Sequence, residues 1–405
     1  MAAQIASEPA RLIAGVDTHT DTHTLAILSA TGGIVHTATF SADQRGYDEL
    51  IATLRDAGNV ALVGVEGTNS YGAGLARALT AAGYAVKEVL RPTRRVRRMH
   101  GKSDAIDAVE AARSLIANHG VSEAKDSTTP AESLRCLLAA RTQLITTATR
   151  LINCISSLLV TAPESVRGRY RGHTTPALIK RLATSRPNEQ LDDPHIAVMH
   201  ALQHLARAYQ DAKERADDLE QGLRSILCDH YPQVLAIYGA GPVVAAQLII
   251  TASGNPRRIR NEAAFASLCG VAPIPASSGR TNRHRLNRGG DRRGNSALHR
   301  IALIRLKHDS RTQEYATRKT AEGKSKKEIL RCLKRAIARE AYRALTNPGQ
   351  PPTDNLKALR QAKQITQSQA AQALGTYPSR ISEIERNCRP LPQLTARYQH
   401  WLSTA

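Results

Sequence analysis

Two short apolar runs, residues 12–17 and 60–65, each break off on a carboxylate, Asp17 in the first and Glu66 directly after the second. Runs of that length, bounded by turn residues, are strands of a sheet rather than helices. Residues 22–29 and 34–40 are also rich in β-formers, with Thr31-Gly32-Gly33 as a tight turn between them. Helical periodicity follows over 44–57, 71–82 and 104–118, with one more strand over 85–90. Three successive strands and then alternating helix and strand predict an α/β domain with a mixed sheet. Strand ends on one edge of such a sheet are a common place to gather acids around a cation. Asp104 and Asp107 stand at i and i+3 on the last helix, so they share a face. Four acids brought together repel strongly, and hard cations such as Mg²⁺ relieve that repulsion; two of them can stabilise the entering and leaving oxygens of a phosphoryl transfer. Each acid also has a plainer reading. Asp17 can cap a turn, Glu66 can be a surface acid, and Asp104 can be the N-cap of its helix. Asp21 and Asp43 read as turn residues.

The charge balance narrows the partners. Across 405 residues, 56 Lys and Arg face 35 Asp and Glu, a net charge of +21, with a pI near 10.1. A chain so far from neutrality needs a polyanion, nucleic acid before an anionic membrane. No uninterrupted apolar run reaches spanning length and the N-terminus has no signal-peptide pattern, so no membrane partner is expected. Aromatic residues make up 3%, which leaves the cores to Leu, Ile, Val and Ala. The six cysteines sit at no metal-ligand spacing and read as free thiols without structural zinc or disulfides. The expected location is therefore a reduced cytoplasm, on the nucleoid.

Residues 131–159 and 196–228 are long amphipathic helices that predict an antiparallel coiled coil or bundle, and 164–193 reads as a connection with one short helix. Residues 237–242, Ile-Tyr-Gly-Ala-Gly-Pro, resemble the turn of a helix-hairpin-helix, whose amides can hold a phosphate; a structural αα-turn is the alternative. A proline-bounded loop then presents Ser277 and Ser278, followed by Arg280, Arg283, Arg285, Arg288, Arg292 and Arg293. An exposed hydroxyl among guanidinium groups can attack phosphorus, because the cations stabilise the charge that builds there. The bland alternative is a solvent loop whose arginines coat a duplex. Residues 298–345 are helical and basic, and 347–354 form a Pro/Gly linker. In the last unit, Thr366 and Gln369 form a capping box for a helix over 367–374, Gly375 stops it, and 378–386 and 394–402 are further helices. This predicts a Cro-like helix-turn-helix exposing Ser379, Arg380 and Glu383 to DNA, with an oligomerisation module as the alternative.

The segments AGVDTHTDTHTLAIL, VGVEGTNSYG, GKSDAIDAVEAA, IYGAGPVVAAQLI and LCGVAPIPASSGRTN, in that order, make residues 12–345 resemble an insertion-sequence transposase of the Piv/MooV type, the insertion sequence 110 family. The resemblance implies a RuvC-like domain of ribonuclease-H fold over 10–125, a helical coiled-coil region over 126–230 and a mainly α transposase domain over 231–346. The helix-turn-helix over 354–405 departs from the common architecture. The implied DEDD tetrad is Asp17, Glu66, Asp104 and Asp107, holding Mg²⁺ or Mn²⁺. The implied nucleophile is Ser278, which precedes Gly279 downstream of Ala272-Pro273, with Ser277 as second choice. Implied partners are donor and target DNA, an element-encoded bridge RNA, and further copies of the chain in a dimer to tetramer. Rival readings are a metal-dependent Holliday-junction-type nuclease, a DNA-binding regulator without catalysis, and a sugar-kinase or actin-like ATPase. The last would need a second, Gly-rich copy of the fold, and none is found.

Overall fold

Strand β1 (Leu12–Thr18) places Ala14 and Val16 on one side of a sheet and Ile13, Gly15 and Asp17 on the other, since successive side chains alternate. A computed structural model of the chain describes residues 11–68, 70–89, 103–124, 128–252, 259–275, 284–285, 287, 289–346, 356–385 and 391–404. These fall into two units, one ending at Thr129 and a second built from Pro130–Ala252 and the described residues from Ile259 onward.

In the first unit, β2 (Thr22–Ser29), β3 (Ile34–Ser41), β4 (Val60–Glu66), β5 (Val86–Val89) and β6 (Val121–Glu123) join β1 in a six-stranded sheet ordered β3-β2-β1-β4-β5-β6. β1, β4 and β5 run parallel, while β2, β3 and β6 are antiparallel to their neighbours. This mixed sheet is consistent with a RuvC-like fold. The closing strand β6 has three residues, too few for a periodic signal, and sequence reading missed it. Helices α1 (Gln44–Asp56) and α2 (Ala73–Ala81) cover one face, burying Leu50, Leu54, Leu75 and Leu79 against Val16, Leu25, Ile27 and Val63. Each fully buried aliphatic side chain of this kind contributes roughly 1.5–3 kcal/mol. Helix α3 (Asp104–Ile116) covers the other face through Ala108, Ala112 and Leu115.

The second unit is helical. Its long helices α4 (Pro130–Thr161) and α7 (Pro194–His230) are antiparallel: Leu134 and Leu138 share a core with Leu223 and Leu227, whereas Ile155 packs with Met199 and Leu202. Arg141 donates to Glu220 at 2.7 Å across the seam. As expected, no uninterrupted apolar run reaches spanning length. By length and average composition alone α4 would still be long and apolar enough to cross a membrane, with a mean hydropathy of 1.4 over its best window, because its Leu, Ile, Val, Ala and Cys outweigh the polar residues set among them. The connection holds two short helices where one was expected, α5 (Glu164–Tyr170) and α6 (Thr175–Ala183), and they seal the far end of the pair through Val166, Tyr170 and Leu182. Among the described cysteines, Cys228 at the end of α7 is disulfide-bonded, which corrects the expectation of free thiols throughout. Sequence spacing carries no record of which thiols folding brings together.

A single turn, α8 (Pro232–Leu235), leads into α9 (Pro242–Thr251), which lies at the centre of the largest core with α10 (Glu262–Leu268), α11 (Arg292–His308) and α13 (Lys326–Thr346). α12 (Ser310–Ala321) links the last two. The helical, basic stretch 298–345 is thus divided, first at Asp309, whose side chain caps α12, and again between α12 and α13. Between α10 and α11, β7 (Ile274–Pro275) pairs antiparallel with β8 (His284–Arg285). The C-terminal helices α14 (Leu356–Ala362), α15 (Gln367–Ala373), α16 (Pro378–Glu385) and α17 (Pro392–Thr404) enclose Ala370, Ile381, Ile384, Tyr398 and Leu402. Both halves of the Thr366–Gln369 capping box are formed.

Candidate functional site

Asp17 leaves β1 on the face that α3 covers, and Glu66 ends β4 on the same face; the parallel register sets Val16 beside Val65 one residue earlier. Gly15 and Gly64 pair in that register, and α3 lies against both. The first turn of α3 is thereby carried to the strand ends, and with it Asp104 and Asp107. Ser103, not Asp104, is the N-cap: its hydroxyl accepts from the Ile106 amide at 3.3 Å. That leaves the Asp104 carboxylate available to the site. Asp17, Glu66 and Asp107 are buried, while the Asp104 side chain is about half exposed.

The other three acids act on Asp17. Burial raises the Asp17 carboxyl above its ordinary range; the His19 ring pulls it down, and Glu66, Asp107 and Asp104 each push it further up. Asp17 Oδ2 is sealed from solvent and accepts no hydrogen bond. A buried carboxylate oxygen that accepts no hydrogen bond is costly unless a cation meets it. His19 Nε2 lies 3.1 Å from that oxygen and 3.2 Å from Asp104 Oδ1. Asp17, His19 and Asp104 together offer ligand atoms within 4.8 Å of one another, a spacing that fits a divalent cation. Sequence reading did not single out His19. Its signal was its place two residues beyond a strand-end Asp, in a segment that reads as a turn. Thr18 Oγ1 donates to the Glu66 carbonyl at 2.8 Å and ties the two strand ends together.

The serine region belongs to the second unit. Ser277, Ser278, Arg280, Arg283 and Arg288 lie outside the described residues. The root of their loop is fixed from both sides. Asn295 Nδ2 donates to the carbonyls of Cys269 at 2.8 Å and Gly270 at 3.3 Å. The Asp291 amide donates to Leu268 O at 2.6 Å, and Thr251 Oγ1 donates to Asp291 Oδ2 at 2.6 Å. Gly290 has φ +85°, and a Cβ there would sit 2.5 Å from Leu268 O, so the return leg needs glycine. Of the predicted arginines, Arg285 lies on β8, and Arg292 and Arg293 open α11, all three exposed. Asn295 and Lys334, whose Nζ donates to Asn295 Oδ1 at 3.0 Å, were not identified from sequence.

On α16, Ser379 is exposed, but Glu383 is not, which corrects the expected surface. Glu383 accepts from Arg224 of α7 at 2.6 Å and from Arg380 at 2.9 Å. Arg380 is therefore held in an ion pair over a cleft lined by Asp217, Glu220 and Arg224.

Two comparisons bear on this arrangement. Residues 14–162, which contain all four acids, match a family model described as a transposase, of the DEDD IS110 type. Residues 232–317, which contain both serines, match the model described as Transposase IS116/IS110/IS902 family. No curated protein matches the chain.

Proposed function

The chain belongs to the IS110 family of transposases and is an enzyme acting on DNA, and from that membership we propose that it cuts and rejoins the strands of its insertion sequence through a serine–DNA intermediate. The observation that carries the metal part of the reading is the buried Asp17 Oδ2, which accepts no hydrogen bond, has the His19 ring 3.1 Å away and belongs to a carboxyl pushed up by three further acids. Asp17, Glu66, Asp104 and Asp107 hold the divalent cation, Mg²⁺ or Mn²⁺, with His19 alongside; oxygen ligands suit both ions. When bound, such a cation offsets charge on the attacking and leaving oxygens of phosphoryl transfer.

Ser278 is the nucleophile in this proposal, with Ser277 as second choice. Its Oγ loses a proton to water and bonds to phosphorus as the bond from phosphorus to one deoxyribose oxygen breaks and that oxygen takes up a proton. A hydroxyl of the incoming strand reverses the exchange, so the phosphodiester is conserved and Ser278 is regenerated. Arg285, Arg292 and Arg293, with Arg280, Arg283 and Arg288, neutralise backbone phosphates. The turn at 237–242 serves as the helix-hairpin-helix, and α15 and α16 as a helix-turn-helix in which Ser379 and Arg380 meet DNA. A bridge RNA selects donor and target, and α4 and α7 assemble two to four copies of the chain. The proposed domains are 10–125, 126–230, 231–346 and 354–405, and the proposed setting is the nucleoid. Asp104→Asn tests the metal part: it removes one charge and almost no volume, so strand exchange should vanish with melting unchanged. Full wild-type activity in chelator would overturn that part.

A further inference from the structure

The strongly basic helix α13 turns one charged face toward the root of the serine loop. A cavity of about 870 Å³ separates them. One wall is Gly270–Pro273 with Arg285 and Asn287, the two legs of the loop root; the other is α13 and the turn before it. Arg285, Lys324, Arg331, Lys334, Arg335 and Arg339 line it, against the single acid Glu328. Glu262, outside the lining, accepts from Arg335 at 3.1 Å and Arg339 at 2.9 Å, so part of this charge is already matched.

Lys334 is not matched. It is half-buried, and burial and then the nearby Arg331 push its ammonium below the ordinary lysine range. Its recorded partner is the neutral amide oxygen of Asn295, and no carboxylate lies within salt-bridge distance among the described residues. A lysine that has given up hydration without gaining an anion favours any anion that enters. Lysine and arginine together suit phosphate, arginine as a fork and lysine as a point charge. The reach also fits. From Arg331 to Arg339 the helix advances about 12 Å, the axial length of about three to four nucleotides of one strand.

We propose that this cavity seats a phosphodiester segment of a nucleic-acid strand beside the serine loop, with Lys334 and Arg331 as its principal contacts. Lys334 then has a second task, because through Asn295 it reaches the Cys269 and Gly270 carbonyls that fix the loop root. A strand bound at Lys334 is thereby registered against the loop. The inference rests on the reading of that loop as the carrier of the reactive serine, but its test does not use the chemistry.

The test is fluorescence anisotropy on the full chain, with labelled single-stranded DNA and RNA of one sequence, over a salt series. Lys334→Gln/Arg331→Gln should weaken binding about tenfold or more and make the salt slope shallower by about 1.4, which is the effect of two lost phosphate contacts on a single strand. Lys326→Gln/Lys327→Gln removes the same charge from the same helix outside the cavity and should change the slope far less. Lys334→Arg should retain binding, which separates charge from packing, and melting curves check the fold. Loss with DNA alone, RNA alone or both supports the proposal and identifies the strand. Equal losses in both double variants would reduce the effect to diffuse attraction and overturn it. Unchanged affinity for both nucleic acids would overturn it too, and leave the cavity to an acidic protein partner. The serine assignment is tested separately, by whether a covalent protein–DNA adduct is lost in Ser278→Ala, so its failure and the failure of this proposal give different results.

Discussion

Gly15 of β1 and Gly64 of β4 are register partners across the parallel strands, and α3 rests on the flat seat they make. A Cβ at Gly15 would lie 2.3 Å from the Ala108 carbonyl oxygen and 2.3 Å from the Ala112 amide nitrogen. At Gly64 it would lie 2.8 Å from Val89 Cγ2 and 3.0 Å from Leu115 Cδ1. The acids at the strand ends and those in the first turn of α3 meet because at Gly15 and Gly64 nothing larger than hydrogen stands between sheet and helix.

The two glycines therefore differ in tolerance. Backbone cannot yield at Gly15, whereas side chains can rotate at Gly64. Gly15→Ala should lift α3, cost about 1–3 kcal/mol as overpacking does, and abolish metal-dependent strand exchange. Gly64→Ala should cost less and retain activity. Denaturant unfolding with a strand-exchange assay would check the order, and a harmless Gly15→Ala would contradict it.

Asp17 gives the metal centre a stability signature. Its folded carboxyl is raised above the unfolded value of 3.8. Stability from this group is thus fully present below 3.8 and lost as pH rises through the higher folded value. At neutral pH the metal-free protein carries that cost. Asp17→Asn should melt above wild type in chelator at pH 7, with the gap narrowing as pH falls. Added Mg²⁺ should raise the melting temperature of wild type and not of the variant. A variant less stable than wild type in chelator would refute the assignment.

The C-terminal helices depend on a buried ion pair. Glu385, whose side chain is sealed from solvent, accepts from Arg360 Nε at 2.5 Å, from Tyr398 at 2.6 Å and from Gln367 at 2.8 Å. Burial alone would raise its carboxyl, but these donors outweigh burial and hold it below the ordinary 4.5. Its stabilisation is present above 4.5 and lost as pH falls through the lower folded value. Glu385→Gln leaves Arg360 buried and unpaired, at a cost of about 3–5 kcal/mol. Trp401, the chain's single tryptophan, stacks on Tyr398 at 6.3 Å and reports on this region by fluorescence. The Trp401 transition should move to lower temperature in the variant and on acidification of wild type. An unchanged transition would show that the pair contributes little.

Local pattern carried the elements whose cause is local. Strand ends at Asp17 and Glu66, the shared face of Asp104 and Asp107, and the Thr366–Gln369 box all follow from spacing within a few residues. What escaped depends on contacts between distant segments. His19 looks like a turn residue until α3 brings Asp104 to it. Lys334 looks like one more cation on a basic helix until Asn295 meets it 39 positions away. Glu383 looks solvent-facing on α16 until α7 supplies Arg224. Ser103 displaced Asp104 as the cap because its hydroxyl accepts from the amide at the third helical position, a choice between neighbours that spacing leaves open.

The acids and the serine loop belong to different units of the chain. If assembly joins one copy's acids to another copy's serine, Asp104→Asn and Ser278→Ala, each inactive alone, should regain part of the activity when mixed. Strand-exchange assays at fixed total protein would show it. Mixtures as inactive as either variant would mean that one copy supplies both halves.

The most direct measurement is the covalent adduct itself. Wild-type protein incubated with a strand-interrupted DNA substrate and divalent metal, then denatured, should carry DNA on one chain, and peptide mapping should place it on Ser278. The account predicts an adduct that is absent in Ser278→Ala, retained in Ser277→Ala and lost in chelator. An adduct that survives Ser278→Ala unchanged would contradict the nucleophile assigned here, whatever the acids do.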